Sequence, residues 1–305
     1  MIISRSLLGD RACIALAESS NNRKELVIDQ MYYGIPSIDA HPDLVYRLNA
    51  IFNSKLALYM AFMFSSGLGW DRRLIEVGDW QQIRLPKSIL NEDAAWTEVL
   101  QLEQWLRENW QPEPSPSLTD EIFGVEYRLD QAVFRLYELS EQEKILVEDT
   151  LRYNLTPLIY RKQNLDTLDA FSEPTPDDLA AYAERMCLQL DGILRYNNFR
   201  LIPKVYIFQE ASPLCICQFT QKEGIERGVI NRVNIHGLEK ALSLLSPALR
   251  MEISDHLSIQ RNLRIYDGQS FWIIKPSEKR LWSETAALID ADAVVREHME
   301  ASSFG

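Results

Sequence analysis

Cysteine is scarce. Four residues (Cys13, Cys187, Cys215, Cys217) in a chain of 305 do not make a disulfide framework. Long apolar runs are missing too: Leu56 to Phe64 is nine residues between Lys55 and Ser65, where a membrane span needs roughly 20. Arg5, Asp10 and Arg11 interrupt any apolar stretch near Met1, so no signal peptide is read there, and a cytoplasmic protein is expected. An excess of positive charge is also lacking. The formal net charge is −12, which argues against phosphate binding over the whole surface. The deficit is uneven: residues 1–90 carry 10 Lys/Arg against 9 Asp/Glu, whereas 91–305 carry 22 against 35. Any DNA contact is therefore expected within the first 90 residues.

Catalytic signatures are absent as well. There is no Walker phosphate loop, no H-E-x-x-H and no C-x-x-C pair. His41, His236, His256 and His298 are scattered without nucleophile partners. Gly67-Leu68-Gly69 follows a predicted helix instead of a strand, so it reads as a helix end. Cys215-Ile216-Cys217 puts two thiols on one strand face, where they read as small buried hydrophobes. Asp290 and Asp292, two apart on a predicted helix, diverge and read as a solvated face or a helix-pairing surface. No catalytic residue, metal site or cofactor is expected.

What is present is an ordinary globular composition, 46% hydrophobic and 25% charged, long enough for more than one domain. Strands are predicted at Ile2–Ser4, Ala12–Ala17 and Leu26–Tyr33. The period then changes: Leu44, Leu48, Ile51, Phe52, Leu56, Tyr59 and Met63 fit one long buried helix over 43–64. Short strands are read at Leu74–Val77 and Gln82–Leu85, and a helix at 93–110. Three prolines in residues 111–117 read as a stiff linker or an extended surface crossing. A helix pair spans Leu129–Leu151, its second member opened by a Ser140/Glu143 capping box. Thr175 and Pro176 open a helix over 176–194. Strands follow at Leu201–Phe208, Leu214–Thr220 and Gly228–Asn234, with a helix at His236–Leu249. A hairpin turns at Asp267-Gly268, and a closing helix covers Ser283–Met299.

LNAIFNSKLALYMAFMFSSGLGWDRRLIEVGDWQQIRLP (Leu48 to Pro86) and LDQAVFRLYELSEQEKILVEDTL (Leu129 to Leu151) stand in an order that resembles one setting. It is the target-recognition region behind the catalytic domain of bacterial adenine-specific DNA methyltransferases of Type I-like and Type IIG-like restriction systems. There a helix ending in L-N-S-K precedes a Ser/Gly turn with Trp and basic residues. A strand ending in Pro follows, then D-x-A-V-x-x-L-Y-x-L-x-x-x-E and E-D-T-L. The likeness covers residues 40–155. It implies an α+β fold: a recognition-type domain with a long buried helix (part of one, 1–110), a helical spacer (118–170), and a smaller α+β accessory domain (175–305).

Two features of the catalytic half are not found. The Pro-Pro-Tyr loop that holds a flipped adenine has no counterpart nearer than Asn197-Asn198-Phe199-Arg200, and no glycine-rich turn follows a first strand. The resemblance thus implies a non-catalytic DNA specificity or accessory subunit within a restriction-modification or phage-defence system. A separate methyltransferase chain would transfer the methyl group from S-adenosylmethionine, and this chain would contact DNA within that complex. The candidate DNA-binding residues are Trp70, Arg72 and Arg73 in the turn after the long helix, with Lys55, Arg84 and Lys87 nearby in sequence. The competing expectation is an acidic protein-interaction module of a defence complex that does not bind DNA.

Overall fold

The computed structural model describes residues 2–8, 11–15, 32–34, 43–65, 76–91, 94–111, 114–160, 168–194, 199–224, 230–236 and 262–303. The chain is α+β and divides into two compact units, Met1–Arg161 and Lys162–Gly305.

In the first unit β1 (Ile2–Leu8) lies between β2 (Arg11–Ala15) and β3 (Tyr32–Gly34), both antiparallel to it. The single long helix expected over 43–64 is two helices, α1 (Leu44–Phe52) and α2 (Lys55–Phe64). Ser54 makes the break. Its backbone is extended (φ −84°, ψ 155°), and its Oγ accepts from the Ala57 N–H while donating to the Ile51 carbonyl. A serine that bonds the local backbone in this way caps a new helix instead of continuing the old one. The apolar period runs on across the break because Ile51, Phe52, Leu56 and Leu58 all enter one core.

The strand expectations at Leu74–Val77 and Gln82–Leu85 are also corrected. Residues 74 and 75 lie outside the described residues, and Val77 opens a short helix, α3 (Val77–Gln81). The Asp79 carboxylate accepts from the Glu76 N–H, and Gln82 Nε2 donates to the Gly78 carbonyl, so local bonds favour a helical turn. Residues 82–85 are not in a strand.

α4 (Ala95–Asn109) and α5 (Pro116–Leu136) follow. The proline-rich stretch is only partly a linker. Ser115 Oγ accepts from the Leu118 N–H and Pro116 takes the first helical position, where its missing N–H costs nothing. α6 (Glu141–Thr150) opens with the expected reciprocal box: Glu143 N–H to Ser140 Oγ, and Ser140 N–H to the Glu143 carboxylate. It continues through a π turn, Leu151–Leu155, into α7 (Thr156–Ile159). The helices expected as a separate spacer are not separate over 118–160. Leu129, Val133, Phe134, Leu151 and Leu155 share one apolar cluster with Ile51, Leu58, Trp96 and Val99.

The second unit begins with a 3₁₀ turn, Asp169–Phe171, and α8 (Pro176–Leu194). Thr175 and Asp178 cap α8 reciprocally, as their order suggests. Five strands follow: β4 (Phe199–Phe208), β5 (Leu214–Glu223), β6 (Asn231–Ile235), β7 (Leu263–Asp267) and β8 (Ser270–Pro276). Their order is β6-β4-β5-β8-β7, with β6 parallel to β4 and the other pairs antiparallel. The β7–β8 loop is Gly268-Gln269, one residue later than the expected Asp267-Gly268. Gly268 has φ +57°, the left-handed region that a II′ turn requires at its first central position. α9 (Glu284–Ser303) closes the chain. The helix expected at His236–Leu249 lies outside the described residues beyond its first residue.

Period two sorts the sheet. Val205, Cys215, Cys217, Phe219, Phe271 and Ile273 face α8 and α9, while Tyr206, Ile216, Trp272 and Ile274 form a second cluster on the opposite face. No helix among the described residues is long and apolar enough to cross a membrane.

Candidate nucleic-acid interface

The sequence pieces that carry the resemblance meet in space. The Asp130 carboxylate, fully buried, accepts from the backbone N–H of Lys55 at 2.8 Å, in the first turn of α2. This joins the D-x-A-V stretch to the N-S-K stretch. Gln131 Nε2 reaches the carboxylate of Glu148, in the E-D-T-L stretch, at 3.4 Å. Burial pushes the Glu148 carboxyl up, and the nearby Lys55 charge opposes that. Tyr137 Oη donates to the Arg84 carbonyl at 2.8 Å, linking the L-Y motif to the irregular IRLP segment. Burial raises the Tyr137 phenol, which stays the neutral donor this bond requires. Asn53-Ser54-Lys55 is thus a helix joint, and Asp130 fixes it at the positive end of a helix dipole.

The segment from Arg84 to Asn91 is held by its carbonyls. Buried Arg47 donates through one guanidinium nitrogen to Ile89 O (2.8 Å) and Asn91 O (2.7 Å), with its plane 5.1 Å from the Trp96 ring centroid. Trp96 Nε1 donates to Ser88 O at 3.0 Å. With Tyr137 on Arg84, four carbonyls are tied to the helices beneath. The side chains of Arg84, Leu85, Lys87 and Leu90 are exposed above them. Neither Arg84 nor Lys87 has an ion-pair partner among the described residues. A backbone fixed in advance loses little freedom on binding, so such a loop presents its cations at low entropic cost.

The structure therefore brings Arg84 and Lys87 into one anchored loop. Lys55 is half-buried at the start of α2, in the field of Glu148. Trp70, Arg72 and Arg73 lie outside the described residues. A buried polar pair joins α1 to α4: Asn49 Nδ2 donates to Glu103 Oε1 at 2.8 Å, and Arg107 is 3.5 Å from the same oxygen. Burial raises the Glu103 carboxyl, with Asn49 and Arg107 partly offsetting it.

The second unit holds a buried ionic cluster that sequence reading missed. Asp292 is exposed, whereas Asp290 is only 1% exposed, so at Asp290 the solvated reading is corrected and the helix-pairing one holds, through Tyr182 of α8. The Asp290 carboxylate accepts from Lys275 Nζ, Tyr182 Oη (2.7 Å), Asn262 Nδ2 (2.6 Å) and Arg264 (3.3 Å). Lys275 also donates to the Leu281 carbonyl and lies 4.8 Å from the Tyr182 ring centroid and 5.3 Å from that of Trp282. Arg264 clamps Glu297, which also accepts from Tyr266 Oη. Desolvation pushes the Lys275 ammonium down against the pull of Asp290, and drives the Tyr182 phenol well up. The signal was available: Lys275 shares strand parity with Phe271 and Ile273, and Asp290 shares a helix face with Ala287, Ala291 and Val294.

Cys187, Cys215 and Cys217 are buried in the same core, with burial pushing the Cys215 thiol up to about 11. They behave as small hydrophobes. No group of three or more potential metal ligands occurs among the described residues. No family model, curated protein or solved structure matches this chain.

Proposed function

We propose that this chain is a non-catalytic DNA specificity or accessory subunit of an adenine methyltransferase, within a restriction-modification or phage-defence system. The observation that carries the reading is the anchored Arg84–Asn91 loop, which displays Arg84 and Lys87 from the part of the chain that is free of acidic excess. Cations on a fixed loop suit phosphate contacts, which set position and register on a duplex and leave base reading to other groups. The convergence of the N-S-K, D-x-A-V, L-Y and E-D-T-L pieces on one core supports the resemblance. The methyl-transfer chemistry belongs, in this reading, to a separate chain that binds S-adenosylmethionine.

The test is a salt titration of duplex binding by the assembled complex, comparing wild type with Arg84→Ala/Lys87→Ala. Two lost phosphate contacts should lower affinity on cognate and scrambled duplexes alike, and reduce the slope of log affinity against log salt by about 0.9 for each. Equal affinities and slopes would remove this loop from the interface. The competing reading, an acidic docking module without DNA contact, draws on exposed aromatics at Trp110, Phe123 and Tyr127. It predicts no duplex binding at low salt by the chain or its complex.

A further inference from the structure

The first half of α5 has a composition that its own fold does not use. Phe123 is 63% exposed and Tyr127 56%, one turn apart on the same face. Gly124 lies between them near the middle of the exposed arc, and a Cβ built there would meet nothing within 4 Å. A glycine inside an exposed helix costs about 1 kcal/mol relative to alanine, and no neighbour among the described residues requires it. Asp120 stands four residues before Gly124 and Arg128 four residues after. Both are exposed, and neither has an ion-pair partner among the described residues.

We propose that α5 pairs with α5 of a second copy of this chain, antiparallel, about a twofold axis passing at Gly124. In an isologous contact, residue i of one copy meets j of the other and j meets i. An axis at position 124 makes 120 meet 128 and 121 meet 127. Asp120 therefore faces the other copy's Arg128 twice, and Glu121 faces the phenol of Tyr127 twice. The missing Cβ at the crossing lets the backbones approach closely, and the Phe123 and Tyr127 rings fill the flanks. A parallel pairing would instead set Asp120 against Asp120 and Arg128 against Arg128. The charge order thus selects the antiparallel copy. At 1.5 Å per residue, the 21-residue helix offers about 31 Å of length. One helix face of that length belongs to the small interface class, so micromolar self-association is expected.

The experiment is sedimentation velocity on the full chain at loads from about 1 to 100 μM, a range that brackets micromolar dissociation constants. Wild type should shift from monomer to dimer. D120R and R128D each create two like-charge contacts per dimer and should weaken association at least about tenfold. D120R/R128D exchanges the partners and should restore it. An equimolar mixture of the two single variants should also form dimers, because every 120–128 contact is then opposite in sign. Far-ultraviolet circular dichroism of each variant confirms that the helices are intact. A wild-type chain that stays monomeric would overturn the proposal. So would single variants that dimerise like wild type, or a mixture that remains monomeric.

Discussion

Asp290 accepts from four donors, so removing it and removing Lys275 should have unequal consequences. Asp290→Ala leaves a buried ammonium beside Arg264 without its counter-ion, a change that costs about 3–5 kcal/mol. Lys275→Met leaves the carboxylate with Arg264, Tyr182 and Asn262, and should cost about 1–3 kcal/mol. Urea denaturation of both variants checks the order, and equal losses would contradict it. Glu103 makes a second case, with a pH sign. Its folded-state carboxyl titrates above its unfolded value because burial disfavours the charge. Its stabilising contribution is therefore complete below the unfolded pKa and is lost as pH rises through the folded one. Glu103→Gln removes that dependence while keeping an acceptor for Asn49. The variant should gain on wild type as pH rises from 4 to 7, and a constant difference in urea midpoint would refute the assignment.

Among the elements, the α1–α2 joint depends on a residue 75 positions away. Asp130→Ala leaves the Lys55 N–H without its acceptor and removes an anion from the positive end of α2. A loss of about 1–3 kcal/mol is expected, with the cost concentrated in α1 and α2. Hydrogen exchange should speed at the first amides of α2 before it speeds in α4. Unchanged protection there would show that Ser54 caps the helix unaided. The Ser140 box at α6 is the local counterpart. Ser140→Ala should cost about 1 kcal/mol, as N-caps ordinarily do, and leave distant helices unaffected.

Across the whole molecule, two units with separate apolar clusters should respond separately to damage. Asp290→Ala lies in the second cluster, so exchange protection should fall in β5, β8, α8 and α9. Protection in α1, α2, α4 and α5 should stay near wild type. Uniform loss across both units would mean that they unfold as one cooperative body. The charge distribution belongs to this scale as well. The acid lies beyond residue 90, while the anchored loop bearing Arg84 and Lys87 lies before it. Duplex binding through so few phosphate contacts should therefore fall only shallowly with rising salt, by about 0.9 in log affinity per tenfold salt for each contact.

Local signals in the sequence were enough where the chemistry is local. The Ser140/Glu143 and Thr175/Asp178 caps, the glycine hairpin, the strand alternation of β4, β5 and β8, and the burial of Cys215 and Cys217 all follow from neighbours within a few residues. The α+β class follows from their sum. Three features required the tertiary structure. The break at Ser54 was invisible because apolar periodicity survives a helix joint whose two halves enter one core. The loop at 84–91 became an organised display only when Arg47, Trp96 and Tyr137 reached it from 42, 8 and 53 residues away. Asp290 looked like a surface carboxylate because its partners, Tyr182, Arg264 and Lys275, come from α8, β7 and β8. A charge is read as buried only when the groups that compensate it are brought within hydrogen-bond distance, and that is decided by packing rather than by order along the chain.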